Sequence, residues 1–362
     1  MTYDIIRYTK NNFVGVTLMD ISFNETDRNI IDLINQQDIS NYYIIAINFN
    51  LAVTHNFEIW KIIEKLIKEN NNLHLKILLI NSREALTYKH DLNEICDTLH
   101  KNFNIPYNDI MIVGGACHQF DSPIVNCNSL HIAFCRDTIL DFKNITDDPT
   151  HHFISLSRVP RKYRVITTVR VLERNLEIYG YITCGSSTID VNYNNLIPKK
   201  LIGRFPILLD GVFGEGTTKE RDGSNKKING AFINLVLETG FEENERWSVP
   251  FLSEKTAKPF SWGQVPIFIS YHNTIPYIRE LGFDLFDDII DHSYDDEINP
   301  VKRIFKSVEQ LEKICKKPLE YWIDYKKNNI DRFIKNRKIA ENLHSGGADE
   351  IFKNNFKIAI NR

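Results

Sequence analysis

Asn234–Asp295 reads NLVLETGFEENERWSVPFLSEKTAKPFSWGQVPIFISYHNTIPYIRELGFDLFDDIIDHSYD. Near its centre Glu254 and Lys255 follow an apolar pair, and the apolar run Val265–Ile269 comes soon after. The apolar run predicts a strand, and Ser253–Ser261 predicts a helix in front of it. An acid beside a base at the start of such a helix suits a nucleoside diphosphate. The carboxylate can accept ribose hydroxyls, while the ammonium and the free backbone N–H groups offset phosphate charge.

Strand-like and helix-like runs alternate along the N-terminal part of the chain as well. The predicted strands are Tyr42–Phe49, Leu75–Ile80 and Ile110–Val113, and the predicted helices are Phe57–Glu69 and His90–Phe103. The apolar runs are continuous rather than alternating, which is typical of a parallel sheet that is buried on both faces. This half of the chain therefore predicts βαβ units.

A second α/β pattern begins after the polar, proline-ended stretch Asp141–Pro149. It contains a predicted strand at His152–Leu156, a long predicted helix at Arg161–Tyr179 that Gly180 can end, and a predicted strand at Ala231–Glu238. The fold class that follows is α/β, with two Rossmann-like domains facing a cleft. We predict an N-terminal α/β domain at residues 1–148, a second α/β domain at residues 149–330 and a C-terminal helical tail at residues 331–362.

Composition limits the class of protein. The chain has 362 residues, 43% hydrophobic and 25% charged, which is typical of an ordinary globular protein. The net charge of -3 argues against a protein whose main role is to grip long nucleic acid. The six cysteines are scattered, and the N-terminus lacks the layout of a signal peptide. We expect no membrane span, reduced thiols and a cytoplasmic location.

Three elements of the second half occur in the order of a known glycosyltransferase pattern. They are Val236-Leu237-Glu238, then Phe251–Lys255, then Gly263–Pro266. With Leu281–Asp284 and Asp291–Asp295 behind them, they resemble the α1,3-fucosyltransferases and related bacterial and phage glycosyltransferases. The resemblance implies a two-domain GT-B fold and transfer without a metal. It also implies inversion at the anomeric carbon and, for the fucosyltransferases themselves, GDP-fucose as donor.

The resemblance also implies roles for particular residues. Upstream, Phe153–Arg164 is similar to the family's strand and following helix, which carries a phosphate-binding arginine. Arg164 is the best match for that arginine, and Arg161 is the second. The implied donor-binding set is Arg164, Arg161, Glu238, Ser253, Glu254, Lys255 and Lys258. Ordinary structural roles stay open for these side chains, such as a charged pair on a helix surface or, for Glu238, a helix-capping carboxylate.

The chain departs from the family pattern at several positions. Ser253 stands where the family often has Thr, Thr239 where the fucosyltransferases usually have Asn, and His292 where the bacterial and phage members tend to have Glu. These departures leave the sugar of the donor open.

A general base is expected in the N-terminal half, where such enzymes bind the acceptor. His118 and Asp121 follow Gly114-Gly115 and are the candidates, with an ordinary polar loop as the alternative. A zinc site would draw on Cys117, His118, Cys127, His131 and Cys135. These residues contain no CxxC pair, and Leu130–Cys135 reads as a strand that would point its ligands to opposite faces. We therefore expect no metal and no cofactor, with a GDP- or UDP-sugar as co-substrate.

The sequence thus indicates a glycosyltransferase that moves a sugar from a nucleotide sugar to a hydroxyl of a glycan or another acceptor. One alternative is a phage-type enzyme that acts on a hydroxylated base of DNA. Its support is three basic runs, Lys226-Lys227, Lys326-Lys327 and Lys335–Lys338. The other alternative is a non-catalytic module that binds a nucleotide or a glycan.

Overall fold

The computed structural model describes residues 3–8, 13–18, 32–34, 43–48, 75–81, 89–114, 124–126, 145–157, 159–185, 196–207, 226–238, 240–241, 250 and 252–361. The chain forms two compact units. The first consists of Met1–His131, Glu245–Val249 and Gly346–Arg362, and the second of Ile132–Asn244 and Pro250–Ser345. The helix expected at Phe57–Glu69 and the strand expected at Leu130–Cys135 lie outside the described residues.

The first unit contains a six-stranded sheet whose strands lie in chain order. These are β1 (Tyr3–Tyr8), β2 (Phe13–Leu18), β3 (Tyr43–Asn48), β4 (Leu75–Asn81), β5 (Ile110–Gly114) and β6 (Ile124–Asn126). β1 and β2 pair antiparallel, and every later pair is parallel. Helix α1 (Lys89–Phe103) joins β4 to β5. The predictions for β3, β4, β5 and α1 are confirmed to within a residue or two.

The second unit is built on a parallel sheet of four strands. These are β7 (His151–Ser155), β8 (Gly180–Ile182), β9 (Ala231–Leu237) and β10 (Val265–Ile269), in the spatial order β10-β9-β7-β8. All three pairings are parallel, with Phe153 opposite both Gly180 and Ile233, and Ile267 opposite Leu235. Every residue of β9 and β10 is buried, as the continuous apolar runs predict.

Further helices follow α1 along the chain. They are α2 (Lys162–Glu173), α3 (Lys226–Asn229), α4 (Glu254–Ser261), α5 (Ile275–Glu280), α6 (Pro300–Cys315), α7 (Leu319–Asn328), α8 (Ile330–Asn342) and α9 (Ala348–Ile360). Short 3-10 turns lie at Tyr107–Asp109, Leu176–Tyr179, Lys199–Arg204 and His292–Asp296. α9 falls in the first unit, and the other helices from α2 onward fall in the second. No helix in the described part of the chain is long and apolar enough to cross a membrane.

The core of the second unit joins the sheet to α2 and α6. Phe153 and Phe232 are fully buried on the sheet, and Ile304, Val308 and Leu311 recur at helical spacing on the buried face of α6. Phe232 stacks on Trp322 with ring centroids 5.0 Å apart. Burial of one such side chain contributes roughly 1.5–3 kcal/mol, so this cluster is a main source of stability for the sheet.

Several predicted boundaries differ from the structure. The long helix expected at Arg161–Tyr179 ends at Glu173, because Asn175 takes a left-handed conformation with φ 54°. Gly180 does not end that helix. It begins β8, where an added Cβ would lie 2.1 Å from the Phe153 carbonyl oxygen, so the close approach of β8 to β7 requires glycine.

The helices of the C-terminal part begin and join as follows. α6 begins at Pro300, with the Asn299 side chain accepting a hydrogen bond from the Lys302 N–H. A π-helical turn at Leu343–Gly347 leads directly into α9.

The four strands of the second unit's sheet are parallel, so their carboxyl ends lie along the same edge. All four strands end there, at Ser155, Ile182, Leu237 and Ile269, and we call it the carboxyl edge. β7 and β9 are neighbours at the centre of the sheet. From β7 the chain passes through α2 to β8 on one side, and from β9 it passes through α4 to β10 on the opposite side. Open α/β sheets bind ligands outside the carboxyl ends of the strands where the chain diverges in this way.

Candidate functional site

Helix α4 begins at the carboxyl edge and is held there by Glu238, the residue after β9. The Glu238 carboxylate is completely buried. One oxygen accepts the Ser253 hydroxyl at 2.7 Å, and the other accepts the Ser253 N–H at 3.2 Å and the Thr256 hydroxyl at 2.7 Å. Ser253 in turn is the N-cap, and its hydroxyl accepts the Lys255 N–H at 3.3 Å. Glu238 therefore positions the start of α4, which agrees with the helix-capping alternative.

Glu254 and Lys255 lie on the first turn of α4 and form an ion pair. Lys255 Nζ is 2.7 Å from Glu254 Oε1 and 3.3 Å from the Ser253 hydroxyl. The side chains keep 21% and 30% of their surface exposed, so solutes can reach both. Burial alone would raise the pKa of Glu254, but the charges of Lys255 and Lys258 and the hydrogen bond from Lys255 lower it to about 2. Glu254 is thus a carboxylate at any physiological pH.

Arg164 lies in the first turn of α2 and is 5% exposed. Its guanidinium donates to the carbonyl oxygens of Leu237 at 3.2 Å and Glu238 at 3.3 Å, and to the Tyr163 hydroxyl at 2.9 Å. Tyr163 also donates its hydroxyl to the Glu238 carbonyl oxygen. Arg164 therefore ties the start of α2 to the end of β9. Arg161, the N-cap of α2, is only half-buried.

A stacked layer continues from Tyr163 toward β10. The Tyr163 ring stacks on Phe241 with centroids 4.5 Å apart, and the Arg303 guanidinium lies 5.2 Å from the Phe241 centroid. Arg303 is 1% exposed, and its Nε donates to the Ser270 carbonyl oxygen at 3.0 Å. Residues that follow β7, β9 and β10 are thus joined at the carboxyl edge.

Asp295 is a buried carboxylate behind the loop that follows β10. One of its oxygens accepts the Ile275 N–H at 2.8 Å, and the other has no hydrogen-bond donor among the described residues. Burial raises the pKa of Asp295 to about 6, although the backbone N–H groups of Ile275 and Thr274 and the charge of Arg303 oppose the shift. A carboxylate whose pKa is strongly shifted is common at functional sites, although buried structural groups show such shifts as well.

Asp295→Asn is expected to stabilise the protein at pH 7. The pKa of Asp295 is raised on folding from its usual 3.8, so the stabilising effect of this group is complete only below about pH 4 and is lost as the pH rises through 6. The shift of the pKa corresponds to a loss of up to about 3 kcal/mol in the free energy of unfolding at pH 7. Asn keeps an acceptor for the Ile275 N–H, so we expect Asp295→Asn to recover about 1–2 kcal/mol of that loss. Urea titrations at pH 4 and pH 7 measure the effect, which should vanish at pH 4.

Asp291→Asn is the matched control for that experiment. Asp291 lies at the start of the same 3-10 turn, and the hydrogen bonds from Ser293 lower its pKa. The contribution of Asp291 to stability therefore depends on pH in the opposite way. It is present above the pKa that Asp291 has in the unfolded chain, and it is lost as the pH falls through the lower pKa of the folded protein. If both substitutions lower stability at pH 7, the assignment of a destabilising buried charge to Asp295 is wrong.

The structure brings most of the predicted donor-binding set to the carboxyl edge, on α2, α4 and the end of β9. Within it, Glu238, Ser253 and Arg164 are buried and bind protein groups, while Glu254, Lys255, Lys258 and Arg161 keep exposed surface. His118 and Asp121 lie outside the described residues, and so do all five members of the zinc hypothesis. Within the described ranges, no three His, Cys, Asp or Glu side chains could jointly hold a metal ion.

Four residues of this edge were not predicted from the sequence: Thr256, Tyr163, Asp295 and Arg303. A signal did exist for Arg303, because Arg303, Ser307 and Gln310 recur at i, i+4 and i+7 on the buried face of α6. Polar residues at core positions need partners, and that requirement marks them for attention. Thr256 follows the N-cap Ser253 by three residues, a position whose side chain points back toward the cap.

The carboxyl edge therefore offers three things to a ligand. It has a partly exposed ammonium at Lys255, a partly exposed carboxylate at Glu254, and the N-terminus of an eight-residue helix fixed by buried hydrogen bonds. A cation and a helix N-terminus favour an anion, and a carboxylate beside them accepts hydroxyl groups. Comparison with protein-family models, curated proteins and solved structures gives no match.

Proposed function

We propose that this protein is a glycosyltransferase of the GT-B type that uses a nucleotide-sugar donor. The observation that carries the proposal is the Glu254–Lys255 pair on the first turn of α4, at the divergence point of a parallel sheet. The order of elements around the pair supports it, because it resembles the donor half of fucosyltransferase-like enzymes. In this proposal the two units are the two Rossmann-like domains of that fold.

The proposed roles follow from which side chains are exposed and which are buried. Lys255 and the N–H groups of the first turn of α4 bind the diphosphate, with Lys258 and Arg161 adding positive charge. Glu254 accepts the ribose hydroxyls. Glu238, Ser253 and Arg164 act behind them, since their hydrogen bonds fix α4 and α2 at the edge.

The proposed reaction is a single displacement with inversion. A base in the first unit, for which His118 and Asp121 are the candidates, takes the proton from an acceptor hydroxyl. The hydroxyl oxygen attacks the anomeric carbon, and the bond from that carbon to the diphosphate breaks, leaving its electron pair on the diphosphate. Lys255 and the α4 N-terminus stabilise the charge of the leaving diphosphate, which is the function that a metal ion would otherwise serve.

DNA is a weaker candidate as the acceptor than the sequence indicated. Lys326 is 7% exposed and donates to the Asp147 carbonyl oxygen at 3.1 Å, and Lys327 pairs with Asp148 at 3.0 Å. Lys227 lies 5.4 Å from the Tyr181 ring centroid. These lysines make contacts within the second unit, so two of the three basic runs give less support to a DNA-binding surface. Lys335 and Lys338 of the third run are exposed. A glycan or another hydroxyl-bearing acceptor is therefore preferred.

A thermal-shift screen of the full chain against GDP, UDP, ADP, CMP and their sugar conjugates tests the donor site. A ligand that binds only the folded state raises the melting temperature by mass action. We expect one nucleotide family to stabilise the protein, and release of its nucleoside diphosphate from the sugar conjugate when an acceptor is present. A folded protein that none of these compounds stabilises at millimolar concentration would rule out the donor site.

A further inference from the structure

The hydroxyl of Tyr294 binds the outer side of β10. This strand is the first in the spatial order of the four-stranded sheet, so one side of its backbone faces away from β9. The Ile269 carbonyl oxygen accepts the Glu238 N–H and therefore faces β9, whereas Phe268, one residue earlier, faces the other way. The Phe268 N–H donates to the Tyr294 hydroxyl at 3.1 Å. Tyr294 thus satisfies a backbone donor on the edge of a buried strand.

His292 accepts the proton of that hydroxyl. Its Nδ1 lies 3.3 Å from the Tyr294 oxygen, and its Nε2 lies 2.9 Å from the Leu285 carbonyl oxygen. A carbonyl oxygen can only accept, so Nε2 carries the ring proton and Nδ1 is the acceptor. The hydrogen bonds then run in one direction, from the Phe268 N–H to the Tyr294 hydroxyl to His292 Nδ1. This order requires a neutral His292 in a single tautomer.

The surroundings of His292 disfavour a positive charge on its ring. The side chain is 8% exposed, and burial lowers its pKa. The Leu285 carbonyl oxygen and Asp287 oppose that shift. The charge of Arg279 adds to it, and that of Asp291 opposes it. Asp287 lies 3.9 Å from Nε2, but it is 61% exposed and pairs with Arg279, so solvent screens its attraction.

We infer that the turn at His292–Asp296 is an acid-sensitive latch, which neutral His292 keeps closed on β10 and protonated His292 opens. The inference is independent of the proposed function. A proton on Nδ1 turns this atom into a donor that faces the Tyr294 hydroxyl, which is itself donating, in a buried position. The hydroxyl loses that acceptor, and its hydrogen bond with the Phe268 N–H can no longer be kept in the same geometry.

The same turn also anchors the loop that follows β10. The Asp295 carbonyl oxygen accepts the Asn273 N–H at 3.0 Å, and the Asp295 carboxylate accepts the Ile275 N–H at 2.8 Å. Opening of the latch therefore frees the start of α5 as well as the edge of β10. Asp295 itself titrates in the opposite sense, because burial raises its pKa to about 6. A test must therefore isolate the proton that binds His292.

His292→Gln isolates that proton, since glutamine keeps a neutral donor and an acceptor but is not protonated. The pKa of His292 is lowered from 6.5 on folding. The stability due to the neutral ring is therefore present above pH 6.5 and is lost as the pH falls toward the folded pKa. In urea titrations at about pH 7.5 and pH 5.5, the folding equilibrium constant of the wild type should fall relative to that of the variant, by up to about tenfold per pH unit. Parallel pH profiles overturn the inference, whatever the constant difference between the two proteins.

Tyr294→Phe tests whether the hydroxyl keeps His292 neutral. NMR of the ring nitrogens in the intact chain reports tautomer and protonation, and His292→Gln identifies the signals. We expect the Nε2–H tautomer in the wild type, and protonation at higher pH in Tyr294→Phe, because a hydrogen bond to the neutral form is gone. Tyr325→Phe is the matched control, since its hydroxyl donates to Asp288 at 2.8 Å, and it should leave this titration unchanged. The opposite tautomer, or the same titration in Tyr294→Phe as in the wild type, overturns the inference.

Discussion

Lys255→Ala is expected to weaken the binding of a nucleoside diphosphate by about 30-fold or more. A charge-assisted hydrogen bond to phosphate contributes about 2 kcal/mol at a partly buried site, and this substitution removes it. It also leaves the Glu254 carboxylate, whose pKa Lys255 helps to hold at about 2, without its partner beside the incoming phosphates. Repulsion between them adds to the loss. Calorimetric titration with GDP and UDP gives the Kd of each protein.

Two further variants separate charge from other effects of that substitution. Lys255→Arg keeps the positive charge, so we expect a smaller loss of affinity than with alanine. Lys316→Ala removes a lysine that pairs with Glu312 at 3.1 Å at the end of α6, away from the carboxyl edge. That control should bind nucleotides normally. If Lys255→Ala and Lys316→Ala behave alike, Lys255 belongs to the solvated surface of the protein and not to a phosphate site.

Glu238→Ala is expected to lower the free energy of unfolding by about 3–5 kcal/mol. The buried carboxylate accepts three hydrogen bonds, and its removal strands the Ser253 hydroxyl and N–H and the Thr256 hydroxyl in a buried cavity. Ser253→Ala alone should cost only about 1 kcal/mol, the usual value for a lost N-cap. Urea titration followed by circular dichroism measures both values.

Glu238→Gln separates the hydrogen bonds from the charge. Glutamine has nearly the same shape and retains one acceptor oxygen, and the Ser253 hydroxyl can rotate to accept from its amide. We therefore expect Gln to be clearly less destabilising than Ala. If Ala and Gln have the same small effect, Glu238 does not organise the start of α4, and the framework described for the site is wrong.

Local sequence patterns were enough to predict the strands that position the site. Continuous apolar runs at Ala231–Glu238 and Val265–Ile269 predicted parallel strands buried on both faces, and Ser253 before two charged residues predicted the start of α4. All three predictions are confirmed within a residue or two. Each depends on residues close together in the chain, which is why sequence reasoning succeeds there.

Long-range partners could not be read from the sequence. The patterns did not tell which of Glu238 and Glu254 is buried, because that depends on Ser253 and Thr256 folding back onto the end of β9. The end of α2 was missed for a related reason. The chain must turn at Asn175 to enter β8 beside β7, and this tertiary requirement overrides the helical pattern that continues to Tyr179.

For Arg164, the role implied by the resemblance and the contacts in the structure differ. The family resemblance implies a phosphate-binding arginine, whereas in the structure its guanidinium binds the carbonyl oxygens of Leu237 and Glu238. The phosphate-binding role stays a prediction, and the structure shows the arginine fixing the strand end that carries Glu238. The side chains with exposed surface, Glu254 and Lys255, are the ones proposed to touch the ligand directly.

Amide hydrogen exchange of the intact chain, with and without GDP and UDP, shows whether a nucleotide binds at the start of α4. A bound nucleotide slows exchange where it orders the backbone, and the method reports the position of the effect along the chain. We expect slower exchange in peptides that cover Leu252–Ser261 with one of the two nucleotides. Unchanged exchange in this segment at millimolar nucleotide, or protection confined to other parts of the chain, would contradict a donor site at the start of α4.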